Sequence, residues 1–221
     1  TKGAPADVLA MRGLGDLARL PATGEEVKSI ARLYKGEPTT VLLRDDATRV
    51  RLERALAASP GRLATLHLAC HGLLDTQRPL LTGLVLSGGE ILSVADVHGL
   101  TIPADLVVLS ACETGLGRLV QAEGILGLTR GFLFAGASRV VVSNWKVSDE
   151  HTKDLMQRFY QGMRKHKRSP AAALRQAKLA RIAAGAAHLA TMSEELSPQP
   201  GSTTATVRGP VTTSAGAPAE G

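Results

Sequence analysis

Aromatic side chains are scarce in this chain, at 3% of its 221 residues. A core must therefore be filled by Leu, Val, Ile and Ala, and no aromatic platform is at hand for stacking nucleic-acid bases. Cysteine is scarcer still. Cys70 and Cys112 are too few for a disulfide framework and read as the reduced thiols of a cytoplasmic protein. The apolar runs stay well short of the roughly 20 residues a membrane span needs, so no membrane contact is expected. No basic start followed by an apolar segment marks a signal peptide near Thr1. A Walker-type phosphate loop is lacking as well. The first residue is Thr rather than Met, so the sequence is expected to be a piece of a longer protein. What is present is 44% apolar residues, enough for one sizeable domain whose sheet is covered on both faces.

The net charge of +6 is uneven. Residues 1–150 hold 16 basic and 16 acidic side chains, whereas 151–185 hold nine basic residues against Asp154 alone, and 186–221 come to −2. A basic helical region can meet nucleic acid or an acidic partner. Without interleaved aromatics it reads first as a solvated helix face, and nucleic acid is not the expected partner.

Short apolar runs alternate with longer amphipathic stretches, the pattern of a parallel sheet with crossover helices. DVLAM (7–11) is a weak first strand and TTVLL (39–43) a second. Between them PATGEEVKSIARLY predicts a helix capped by Thr23, with Glu26 closing a capping box. RDDATRVRLERALAA predicts another, capped by Asp45 or Asp46. LATLHLAC (63–70) and ADLVVLSAC (104–112) read as central strands, apolar on both faces. Gly88-Gly89 marks a hairpin, Ser93 starts a short helix, and Gly136 is the natural C′ residue of the helix before it. ASRVVVSNW follows as a strand, then helices over about 148–166 and 169–184, the second opened by Pro170. From about Ser193 the chain is rich in Pro, Gly, Ser, Thr and Ala without apolar period, so it is expected to be disordered.

Open α/β sheets place reactive groups just beyond the carboxyl ends of their strands. Here one such end carries His71-Gly72 and another Cys112. If the two strands are neighbours, an imidazole stands beside a thiol, the arrangement that nucleophilic thiol chemistry requires. Gly72, lacking a side chain, lets a backbone N–H approach a tetrahedral oxyanion, and the N–H of Cys112 is the natural second donor. Glu113 after the nucleophile, and Trp145 and Asp149 after the last strand, are candidate walls of a substrate groove. Asp149 could equally cap the next helix. His67, Cys70 and His71 do not form a metal site, because 67 and 71 share one face of a strand and 70 lies on the other.

The stretches LHLACHGLLD, PLLTGLVLSGG, DLVVLSACETGLG, EGILGLTRGFLFAGASRVVVSNWKVSDE and LMQRFY together resemble the CHAT family over about residues 5–182. The family comprises caspase-like domains often joined to tetratricopeptide repeats, grouped with caspases and separases. The resemblance implies a caspase-like three-layer α/β sandwich with a mainly parallel central sheet. It also implies cysteine endopeptidase activity on protein substrates, with His71 as general base, Cys112 as nucleophile and Gly72 as the oxyanion glycine. Neither cofactor nor metal is implied, and regulation would come from tetratricopeptide-repeat or other sensor domains in the full-length chain. A catalytically silent interaction or scaffold module of the same fold is the alternative.

Two departures from the family stand out. Position 70 is Cys, where Thr, Ser or Ala is expected, and it is assigned to the core. After the last helix the family continues into an aromatic-rich edge strand, but here RIAAGAAHLATMSEELSPQPGS follows, so the final edge strand is expected to be missing. The division is therefore a caspase-like peptidase domain over 1–185 and a low-complexity tail over 186–221. The strand near 138–144 would then present an open edge to a second chain.

Overall fold

A computed structural model describes residues 20–73, 75, 78–110, 112–113, 118–143 and 149–195. The elements in chain order are α1 (Pro21–Leu33), α2 (Arg49–Ala57), β1 (Leu66–Leu68), β2 (His71–Leu73), β3 (Gly83–Val85), β4 (Ile91–Ser93) and α3 (Val94–His98). They continue with β5 (Val107–Leu109), β6 (Cys112–Glu113), α4 (Arg118–Phe134), β7 (Val140–Val142), α5 (Asp149–Arg164) and α6 (Pro170–Glu195). The chain divides into two units, 1–179 and 180–221. The sheets and cores below all belong to the first; of the second, the described part is the end of α6.

The fold is mixed α/β. One sheet is parallel, in the order β1-β5-β7, and the other runs β4-β3-β2-β6. Alternation along the parallel strands sorts the core into two layers, as a pleat of period two requires. Leu66, Leu68, Val107, Leu109, Val140 and Val142 join a cluster with Leu52 of α2, Val94 and Val97 of α3, and Phe132 of α4. Val108 and Val141, with Leu106 just ahead of β5, join the opposite cluster with Ile30 of α1, Phe159 and Tyr160 of α5, and Ala173 of α6. Helices thus cover both faces, the three-layer arrangement expected. Val107 and Val108 are both fully buried, which explains why the central run shows no polar alternation.

Turn chemistry matches the sequence in several places. Gly88 and Gly89 adopt φ of 71° and 77° in the β3–β4 hairpin. Ser93 and Asp96 form a capping box on α3. α4 ends in a turn at Gly136, whose φ is 114°.

Four local expectations fail. Residues 39–43 form no strand; the segment is irregular and leads into a 3-10 turn over Arg44–Asp46, with Val41 exposed and no neighbouring ladder to join. α2 is capped not by Asp45 or Asp46 but by Thr48, whose hydroxyl accepts the Arg51 N–H at 3.3 Å. α1 starts at Pro21, ahead of the expected cap, and the Thr23 hydroxyl donates back to the Leu20 carbonyl at 2.7 Å. The last helix is also longer than its period suggests and runs to Glu195, through the first ten residues of the stretch read as tail. Among the described residues no strand follows β7 in its sheet. The first strand expected at 7–11 lies outside the described residues. No described helix is long and apolar enough to cross a membrane.

Candidate functional site

Two adjacent strands of the parallel sheet, β1 and β5, are each followed three residues later by a strand of the second sheet. β1 steps through Ala69 and Cys70 into β2, and β6 begins three residues after the last residue of β5. The Ser110 N–H donates to the Leu68 carbonyl at 2.9 Å within the step, so pairing is held across it. The register is unchanged as a result. Leu68 stands opposite Leu109 before the step, and His71 stands opposite Cys112 after it, both in parallel pairs.

β2 lies between β3 and β6. His71 therefore faces Val85 across one ladder and Cys112 across the other, while Gly72 faces Leu84 and Glu113. Gly72 is buried and His71 partly so. The segment leaving β2 is fastened within a few residues. The Asp75 N–H donates to the buried Thr82 hydroxyl at 3.1 Å, the Arg78 N–H donates to the Asp75 carboxylate at 2.8 Å, and the Arg78 guanidinium pairs with it at 3.2 Å. Such ties limit how far the strand bearing His71 can shift.

His67, four residues before His71, serves the opposite layer. Its Nε2 lies 2.8 Å from Glu26 of α1 and its Nδ1 lies 3.1 Å from the Tyr160 hydroxyl of α5. The side chains of His67 and Glu26 are only 8% and 0% exposed, so the contact is a core polar link rather than a surface pair. One proton arrangement serves both contacts: Tyr160 O–H donates to Nδ1, and Nε2–H donates to Glu26 Oε1, while Glu26 Oε2 is buried without a partner among the described residues. Burial first, then the charges of Tyr34 and Glu26, push the Tyr160 hydroxyl well above its ordinary value, which keeps that O–H in place as a donor. With both ring nitrogens engaged, His67 is no metal ligand. Among the described residues no three His, Cys, Asp or Glu side chains gather to hold a metal ion.

Cys70 packs against the first core cluster, and burial pushes its thiol up to about 12. It is a partly buried thiol lying against the core, and the upward shift favours its protonated form at neutral pH. Asp149 opens α5. Trp145 lies outside the described residues.

Residues 3–199 match the CHAT domain. The chain belongs to the CHAT domain family, a caspase-like family. Tetratricopeptide repeat protein 28 of Homo sapiens is 40% identical over 73 residues, and the Mus musculus protein of the same name matches equally. Those residues are 33% of this chain but only 3% of each relative, so the chain spans a small part of the curated relatives' length.

Sequence reasoning about this CHAT domain missed the core link. Glu26 was assigned to a capping box, and nothing local distinguishes that role from burial beneath a strand. The usable signal was periodicity: Glu26 falls four residues before Ile30, on the buried face of α1. Tyr160 carried no comparable signal, since a Tyr on an apolar helix face reads as packing. The β2–β3 ties were equally illegible, because Asp75 and Thr82 meet only once the hairpin returns.

Proposed function

We propose that this CHAT domain is a cysteine endopeptidase that cleaves protein chains in the cytoplasm through His71 and Cys112, under the control of flanking domains such as tetratricopeptide repeats. The supporting observation is the parallel register that sets His71 opposite Cys112 on adjacent strands. Strands of one ladder are about 4.8 Å apart, and paired positions share a face of the sheet. That spacing suits proton transfer between an imidazole and a thiol.

In the reaction His71 takes the Cys112 proton, and the thiolate attacks the scissile carbonyl carbon to form a C–S bond. The oxygen becomes an oxyanion held by the backbone N–H groups of Gly72 and Cys112. As the tetrahedral species collapses, the C–N bond breaks and His71 returns its proton to the leaving amine. A thioester remains. Water, deprotonated by His71, then releases the carboxylic acid and restores the thiol. Glu113 and Asp149, with Trp145, are assigned to the substrate groove. Residues 1–185 are the peptidase domain in this reading and 186–221 a tail outside it.

The test is hydrolysis of a peptide library by the wild-type chain and by Cys112→Ala and His71→Ala variants. Both variants are expected to lose turnover while keeping their circular dichroism. Equal residual hydrolysis in wild type and Cys112→Ala would sink the reading and leave a silent interaction module of the same fold.

A further inference from the structure

The turn joining α5 to α6 combines three features that the proposed peptidase site does not use. The first is charge. Lys165, His166, Lys167 and Arg168 are consecutive and all exposed. The second is the absence of local carboxylates to neutralise them. Residues 151–185 contain one acidic side chain, Asp154, which binds Arg158 at 3.0 Å. Arg164, next to the turn, is occupied from within: it pairs with Glu37 and stacks over the Tyr34 ring at 4.3 Å. Lys165, Lys167, Arg168, Arg175 and Lys178 have no ion-pair partner among the described residues.

The third feature is backbone geometry. α5 closes with the Arg168 N–H donating to the Gly162 carbonyl at 3.2 Å. That bond places Lys167 at the left-handed position, φ 53°, where glycine is the default residue. A long side chain there is strained relative to glycine. The turn is also tight: a Cβ built on Gly162 would lie 3.0 Å from that of Ala173, so α5 and α6 meet closely just behind it. A strained, closely backed turn displaying four basic side chains is a preorganised surface rather than a loose loop.

Beyond the turn, exposed Arg175 and Lys178 are three residues apart on α6 and share one stripe of the helix. Lys178 stands about 12 Å along the axis from the helix start. A ligand reaching from the turn to Lys178 must be extended and must carry negative charge along its length. An acidic peptide meets this, since alternate residues of an extended chain are about 6.6 Å apart. Nucleic acid fits less well, because the only aromatics of the region, Phe159 and Tyr160, are fully buried and offer bases nothing to stack on.

We infer that the exposed turn Lys165–Arg168, with Arg175 and Lys178 on α6, is a docking surface for an acidic polypeptide segment. The measurement is fluorescence anisotropy of a labelled oligoglutamate peptide titrated with the full chain, and it needs no peptidase activity. Binding should weaken as salt rises and still be measurable at physiological ionic strength. The triple reversal Lys165→Glu, Lys167→Glu, Arg168→Glu should weaken it about tenfold or more. Lys167→Gly should weaken it too while raising the melting temperature, a pair of opposite effects that misfolding cannot produce. Should the triple variant fail to fold, the pair Arg175→Glu, Lys178→Glu tests the same surface from the helix side and should also weaken binding. The inference is overturned if the wild-type chain does not bind the peptide, if charge reversal leaves binding unchanged, or if oligothymidylate binds more tightly than oligoglutamate.

Discussion

Cys70 and Cys112 are the chain's two thiols, and their surroundings predict opposite behaviour. Burial pushes the Cys70 thiol up to about 12, which disfavours its thiolate at neutral pH. Cys112, register-paired with His71, is the position where the proposed chemistry requires a thiolate. Iodoacetamide followed by mass spectrometry should therefore modify Cys112 far faster than Cys70, and His71→Ala should slow the Cys112 reaction alone. Faster labelling of Cys70 in the folded protein would mean that the nucleophile has been misassigned. In the sequence His71 and Cys112 each read as ending an apolar strand, whereas in the structure they open the short strands β2 and β6 that follow β1 and β5. Their adjacency was not legible there, since it depends on which strands pair.

At the scale of elements, caps and turns set what each substitution should do. Burial by itself would raise the Asp96 carboxyl, but hydrogen bonds from Ser93 and then Arg49 outweigh it and hold it below the ordinary carboxylate range. A group depressed in the folded state stabilises above its unfolded pKa of about 3.9, and that stability is lost as pH falls through the lower folded value. Asp96→Asn should accordingly cost about 1 kcal/mol in urea denaturation at neutral pH. The gap from wild type should close as the pH drops below about 3.9. Glycines offer a second test. Gly136 has φ 114°, and a Cβ there would lie 3.2 Å from the Ile102 carbonyl oxygen, so Gly136→Ala should destabilise by about 1–3 kcal/mol. Gly24 lies inside α1 with open space around its position, and Gly24→Ala should stabilise by up to about 1 kcal/mol. Both changes are read as shifts of the urea midpoint. Gly136 and Ser93 were legible from sequence because turns and caps are local chemistry. The caps of α1 and α2 were misread because each entry segment offers several hydroxyl or carboxyl side chains, and only the path of the incoming chain selects among them.

Across the whole molecule, the parallel sheet has β5 at its centre and β7 with one strand partner among the described residues. Val140, Val141 and Val142 are half-buried and favour extended pairing. An edge of this kind offers its free backbone groups to a second copy. Light scattering coupled to size exclusion should therefore show an average mass that rises with protein concentration; a constant monomer mass would count against an open edge. The alternation of short apolar strands with helices, the two-faced burial of the run at β5 and the turns at Gly88-Gly89 and Gly136 were determined by the sequence alone, because periodicity and turn residues are properties of a few neighbouring positions. The tertiary structure decided what joins distant positions. It set the shared register that aligns His71 with Cys112, turned Glu26 inward to His67 and Tyr160, and left residues 39–43 without a ladder. Those outcomes depend on which surfaces meet once helices cover the sheet, and a carboxylate or a short apolar run carries no local record of its eventual neighbour.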